Sequence, residues 1–193
     1  MKFDKIIKDG LIEYGIINGN NTIVLIKSGA NGSLYGYNNK YLTIATRINK
    51  EYGYTVICSS NPMEGPNNLD SAFKLIEDNY KDYIIYYMGF SNGGIKGIQN
   101  YNKYVKRLLL INPPLMLNID KTIKGIKDFK GDKITFVFGT EDQSYKYVYL
   151  LQELNDNKTD IILVEGQDHL FSKNDTDFIE LPFKYLVKNM IIV

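Results

Sequence analysis

The sequence has no tryptophan, one cysteine, one histidine and five prolines, and neither sign of charge predominates. Each scarcity removes a class of protein. A lone Cys58 excludes an internal disulfide framework and any metal site built from cysteines. It closes the apolar run Tyr54-Thr55-Val56-Ile57-Cys58, where a free cysteine behaves as a small packed hydrophobe, so a buried structural thiol is expected. Twenty-three Lys and Arg against 22 Asp and Glu leave a formal net charge of +1. No global field then draws the chain to nucleic acid or anionic lipid, and neither is an expected partner. No uninterrupted apolar stretch reaches the ~20 residues of a membrane-spanning helix. The opening MKFDKIIKDG lacks the apolar core and small-residue cleavage site of a secretory signal, which makes the cytoplasm the expected location.

What is present is ordinary in amount and informative in order. Hydrophobic residues make up 44% and charged residues 23% of 193 positions, which suits one well-filled core and predicts a single domain over residues 1–193. Sixteen tyrosines mean that no single tyrosine carries much weight. Short β-branched or aromatic runs at 11–17, 22–27, 54–58, 83–88, 107–111, 133–138 and 160–164 read as strands. Helical patterning occupies 33–51, 69–80, 92–104, 117–128, 144–156 and 177–189. Strand alternating with helix predicts an α/β fold, a mostly parallel, doubly wound sheet of about seven strands with helices on both faces. The link Asn18-Gly19-Asn20-Asn21 between the first two strands is short and turn-forming, and predicts an antiparallel hairpin at one end of the sheet. No repeat or linker-like tract interrupts the chain.

In open α/β sheets, ligands bind beyond the carboxyl ends of the strands, so the loops there are where chemistry is sought. After the 83–88 strand comes Gly89-Phe90-Ser91-Asn92-Gly93-Gly94, followed by a helical stretch. This is G-x-S-x-G between a strand and a helix, a turn that presents its central hydroxyl above the sheet. The flanking positions must be nearly free of side chain, which Gly89 and Gly93 satisfy. A glycine-rich turn can instead cradle phosphate at a helix N-terminus, but the segment fits neither common phosphate-loop pattern and follows a middle strand. A serine hydroxyl is a poor nucleophile unless a base adjoins it. The only histidine, His169, lies in Gly166-Gln167-Asp168-His169-Leu170, beyond the last strand. Asp142, in Gly139-Thr140-Glu141-Asp142-Gln143, follows the preceding strand and can orient the imidazole. Helix capping also accounts for an aspartate there. Glu141 is the second candidate for the acid, and Asp168 a weaker one because it is the immediate chain neighbour of His169.

The chain order Ser91, Asp142, His169, with the turn at Ser91, resembles the α/β-hydrolase superfamily from about Leu11 to the C-terminus. The resemblance implies a serine hydrolase with no cofactor and no metal. It also implies an oxyanion hole with one backbone donor at Asn92, after the nucleophile, and a second in the loop after the 22–27 strand. Ala30 is the best match there and Asn31 the alternative. Ser28 departs from the histidine that members often carry at the start of this loop. Members that carry a cap domain insert it after the strand matching 107–111, whereas here Asn112-Pro113-Pro114-Leu115-Met116 leads almost directly to the next helix. A small, lidless enzyme with an open cleft is expected, acting on a small-molecule ester, thioester or peptide. Tyr35, Leu115 and Met116 are the candidate substrate-binding residues, with Leu34, Met63, Pro114, Tyr145 and Leu170 as further lining positions. The alternative is a non-catalytic binding protein on the same scaffold. Oligomeric state is not encoded in any of these signals.

Overall fold

Two antiparallel strands, β1 (Lys5–Asp9) and β2 (Ile12–Ile17), open the chain and are joined through Gly10. Gly10 has φ 57°, in the left-handed region that glycine enters without steric cost. The computed structural model describes residues 1–154 and 157–188. In it, β2 pairs antiparallel with β4 (Tyr54–Ser59). All remaining pairings are parallel: β4 with β3 (Asn20–Lys27), then β5 (Ile84–Phe90), β6 (Val105–Ile111), β7 (Lys133–Gly139) and β8 (Thr159–Val164). The order across this eight-stranded sheet is β1-β2-β4-β3-β5-β6-β7-β8.

The hairpin expected between the second and third strands is absent, because β4 lies between β2 and β3. Ile23 to Lys27 are all buried, the continuous pattern of a central parallel strand, and β3 pairs parallel with β4 and β5. The Asn and Gly link serves as a close crossing instead. The Gly19 N–H donates to Thr55 Oγ1 at 2.9 Å, and a Cβ on Gly19 would stand 2.4 Å from the Gly53 carbonyl oxygen. The sheet also has one more strand than expected, β1, whose residues are mostly exposed and lack a strong apolar signal.

Side chains alternate across the strands and feed two cores. On one face, Leu25, Tyr87, Leu110 and Phe136 pack with α2 (Asp70–Asn79), α3 (Asn92–Asn100), α4 (Ile119–Asp128) and α5 (Val148–Gln152). On the other, Val24, Val56, Met88 and Leu109 pack with α1 (Lys40–Tyr52) and α6 (Asp175–Tyr185). Each fully buried Leu, Ile or Phe of this kind contributes about 1.5–3 kcal/mol. Cys58 is buried in the second of these cores, and burial pushes its thiol pKa up, away from reactivity. No helix among the described residues is long and apolar enough to cross a membrane.

The helices differ from the patterning in places: α3 ends at Asn100 rather than residue 104, and α6 runs from Asp175 to Tyr185 rather than from 177 to 189. Helix α1 begins at Lys40 rather than residue 33, since Gly36, Asn38 and Asn39 all have positive φ and cannot continue a right-handed helix. The 144–156 segment splits into a 3-10 turn (Gln143–Tyr147) and the short α5, with residues 155 and 156 outside the described ones. Position 189, the end of the last expected helix, also lies outside them. Between β6 and α4 there are only residues 112–118, so no cap domain interrupts the fold at that point.

Candidate active site

The turn from β5 into α3 carries Ser91 at φ 51° and ψ −121°. A non-glycine residue there costs about 1–3 kcal/mol and persists only where its surroundings enforce it. They do so closely. A Cβ on Gly89 would stand 2.5 Å from the Gly93 carbonyl oxygen, and one on Gly93 would stand 2.4 Å from that of Lys27. The Ser91 N–H donates to the Ile111 carbonyl at 2.8 Å, fastening the turn to β6.

His169 approaches from the loop after β8, with Nε2 3.0 Å from Ser91 Oγ. Its Nδ1 makes a short hydrogen bond to Asp142 Oδ2. Asp142 Oδ1 accepts the Ser144 N–H at 2.6 Å, so the aspartate caps the following turn and holds the imidazole together. Burial opposes ionisation of this carboxyl, but hydrogen bonds from His169 and Ser144 outweigh it and its pKa is lowered. Glu141 lines the same cleft but pairs with Lys173 instead of the imidazole. Asp168 is occupied in shaping the histidine turn, accepting from Leu170 N at 3.1 Å and Ser172 N at 2.9 Å.

Two buried asparagines that carry no motif signal hold the surrounding loops. Asn112, at φ 43° after β6, donates through Nδ2 to the carbonyls of Asp168 (3.2 Å) and His169 (2.9 Å), and its Oδ1 accepts Gly139 N–H at 2.9 Å. One side chain therefore ties together the loops after β6, β7 and β8. The only local hint is that Asn tolerates the left-handed region better than most residues. Asn61 does the equivalent for the 28–32 loop. Its Nδ2 donates to Ser28 O and Asn92 Oδ1, both at 3.0 Å, and its backbone N–H donates to Gly32 O at 2.9 Å. Asn61 Oδ1 in turn accepts from the buried Lys96 ammonium at 2.6 Å.

Ser28, the departure from the superfamily pattern, supports its loop directly. Its hydroxyl is within hydrogen-bond reach of Gly32 O at 2.9 Å and Ser59 O at 3.1 Å. Lys27, next to it, donates to Ser59 Oγ and Ser60 O. Burial, with a smaller contribution from repulsion by Lys96, pushes the Lys27 pKa down to about 7. Gly29 brings the loop over the serine, since a Cβ there would lie 3.3 Å from Ser91 Cβ. Ala30 and Asn31 follow it at the surface, and Asn92 opens α3.

A cleft of about 650 Å³ contains Ser91, Asp142 and His169, with Met116, Pro114 and Leu170 in its wall. Met116 is thus placed at the cleft. Leu115 is not, because its side chain points into the core and is fully buried, as is Leu34. Tyr35 is turned aside against the Phe3 ring, 5.4 Å between centroids. Met63 and Tyr145 are exposed outside the cleft. A second cleft of about 400 Å³ lies along the 28–33 loop and includes Lys40 and Phe90.

No protein-family model and no curated protein matches the sequence. Solved structures do match the fold. Est1E from Butyrivibrio proteoclasticus superposes with a TM-score of 0.72 at 12% identity, over 91% of this chain and 93% of that one. An alpha-beta serine hydrolase homologue from Coxiella burnetii gives 0.72 at 16%, over 95% and 98%. A member of the a/b serine hydrolases without lid, from Xanthomonas campestris, gives 0.66 at 15%, over 92% and 91%. At such identities the likeness is one of architecture, and by that likeness this chain has the α/β-hydrolase fold in its small, lidless form.

Proposed function

We propose that the protein is a serine hydrolase that cleaves a carboxylic ester or related acyl bond of a small molecule through an acyl-enzyme on Ser91. The observation that carries this reading is the continuous path Ser91 Oγ, His169 Nε2, His169 Nδ1, Asp142 Oδ2. The serine hydrolases among the matched folds support it. In the first half-reaction Ser91 attacks the acyl carbonyl while His169 takes the hydroxyl proton and passes it to the departing alcohol or thiol. In the second, His169 takes a proton from the water that attacks the acyl carbon and gives it to Ser91 Oγ as the acid leaves. Asp142 stays ionised, as its lowered pKa requires, and holds Nδ1 protonated so that Nε2 can accept. The backbone N–H groups of Asn92 and Ala30 are assigned to the oxyanion, with Asn31 as the alternative to Ala30. Each such donor is worth about 3 kcal/mol in the transition state.

A fluorophosphonate probe should label the protein, and Ser91→Ala should abolish both labelling and hydrolysis of 4-nitrophenyl acetate. A folded protein that does neither is a binding protein on this scaffold, and the proposal then fails.

A further inference from the structure

The two clefts that adjoin Ser91 differ in charge. The larger is walled by Glu141, Asp142 and Asp168. The smaller has one charged residue in its wall, Lys40. The two share Leu170, and the smaller includes Phe90, the residue before the serine, and Gly29, whose backbone lies against it. A substrate held for attack by Ser91 therefore has the smaller cleft beside its reacting carbonyl.

Lys40 is 3% exposed. Its ammonium lies 3.8 Å from the centroid of the Phe178 ring and 5.2 Å from that of Phe90, and donates one hydrogen bond, 3.3 Å long, to Leu170 O. Two aromatic faces stabilise the charge, but they take up no N–H group in the way an acceptor does, and an ammonium has three donors. Two carboxylates act on it without a direct ion pair: Asp168, engaged with Ser172 and Leu170, and Asp175, one of whose oxygens accepts from Asn38 while the other is buried without a hydrogen-bond partner. Burial pushes the Lys40 pKa down to about 8 against their pull, which leaves it mainly charged at neutral pH. A largely desolvated cation with spare donors is costly unless an anion completes it.

We propose that Lys40 makes the smaller cleft a subsite for a carboxylate, so that the preferred substrates are esters or thioesters carrying a carboxylate a short chain away from the scissile bond. The assignment rests on Ser91 being the nucleophile. The rest of the wall, including Gly29, Tyr41 and Phe90, is uncharged and suits the connecting chain. The carboxylate can belong to the acyl part or to the leaving group, since the cleft adjoins the serine and not one side of a bound ester.

The test compares charged and neutral esters in pairs: 4-nitrophenyl hydrogen glutarate with 4-nitrophenyl valerate, and 4-acetoxybenzoate with 4-methylphenyl acetate. In Lys40→Met the charged-to-neutral ratio of kcat/KM should fall about tenfold or more for one pair, while Lys40→Arg, which keeps the cation, should hold it within about threefold. The pair that responds shows whether the carboxylate lies on the acyl or the leaving-group side. Fluorophosphonate labelling of each variant counts the folded sites. A wild type that labels but whose two ratios do not move with Lys40→Met overturns this subsite and leaves the Ser91 reading standing. So does a loss shared equally by charged and neutral esters, which is what a lysine serving only to balance Asp175 would give. A wild type that neither labels nor hydrolyses any of the four overturns both.

Discussion

Two groups of loops meet at Ser91, each fastened by one buried asparagine, and the surroundings of the two asparagines differ. Asn112 works among neutral partners: two carbonyls and one N–H from the loops that carry His169 and Asp142. Asn61 works beside two buried amines, Lys96 within hydrogen-bond distance and Lys27 in the adjoining strand. The histidine side is thus held by matched dipoles, and its charges are carboxylates, Asp142 at the back of the imidazole with Glu141 and Asp168 in the cleft wall. The 28–32 loop, where negative charge would develop on an oxyanion, is underlain by positive charge that is only partly neutralised by burial. Complementary fields of this kind assist charge moving from the serine to the carbonyl oxygen.

The comparison can be broken most severely on the histidine side. Asp142→Asn should lower kcat by about 10³–10⁴-fold by favouring the wrong imidazole tautomer, measured as steady-state hydrolysis of 4-nitrophenyl acetate. Asn112→Ala should come next. It strands the buried Gly139 N–H and removes the side-chain donor from the His169 carbonyl, and should cost about 1–3 kcal/mol of stability in urea unfolding together with a fall in kcat. Asn61→Ala should cost less stability, because the Lys96 ammonium keeps its bond to Pro66 O and the backbone N–H at position 61 keeps its bond to Gly32 O. Its kcat should fall by about tenfold, since it positions the oxyanion loop without donating to the oxyanion.

A further effect is a pH dependence specific to the amine side. Folded Lys27 loses its proton near pH 7, whereas an unfolded lysine keeps it to about 10.4. Between these values the unfolded chain binds more protons, so this group makes stability rise with pH through that window. Wild type should therefore gain on Lys27→Met from about pH 7 to about pH 10, read as the difference between two urea midpoints. A difference that is flat in pH would show that the amine is paired and remove the contrast between the two sides.

The proximity of Ser91, Asp142 and His169 was legible in the sequence because each follows a strand that a parallel sheet delivers to one edge. Ser91 was the clearest of the three, since its flanking glycines form a short local pattern, and one of them, Gly89, is demanded by backbone contact with Gly93 in the same turn. The asparagines were not legible. Asn61 and Asn112 act on segments 27 or more positions away, and nothing in their own neighbourhood distinguishes them from surface asparagines. Leu115 and Tyr35 show a different gap, in that a loop position after a strand places a backbone near the site without deciding where the side chain turns. The hairpin misreading has the same origin: Asn18 and Gly19 announce a reversal of direction but do not say which strand becomes the neighbour.

The backbone of Ser91 has one more consequence, for anyone who selects variants of this protein by heat resistance. Ser91→Gly and Ser91→Ala both remove the hydroxyl, but only glycine relaxes φ 51° and ψ −121°, so the glycine variant should be the more stable by about 1 kcal/mol. A screen that rewards endurance without asking for turnover would drift toward inactive chains at this codon, and any thermostabilisation of the protein needs an activity readout alongside it.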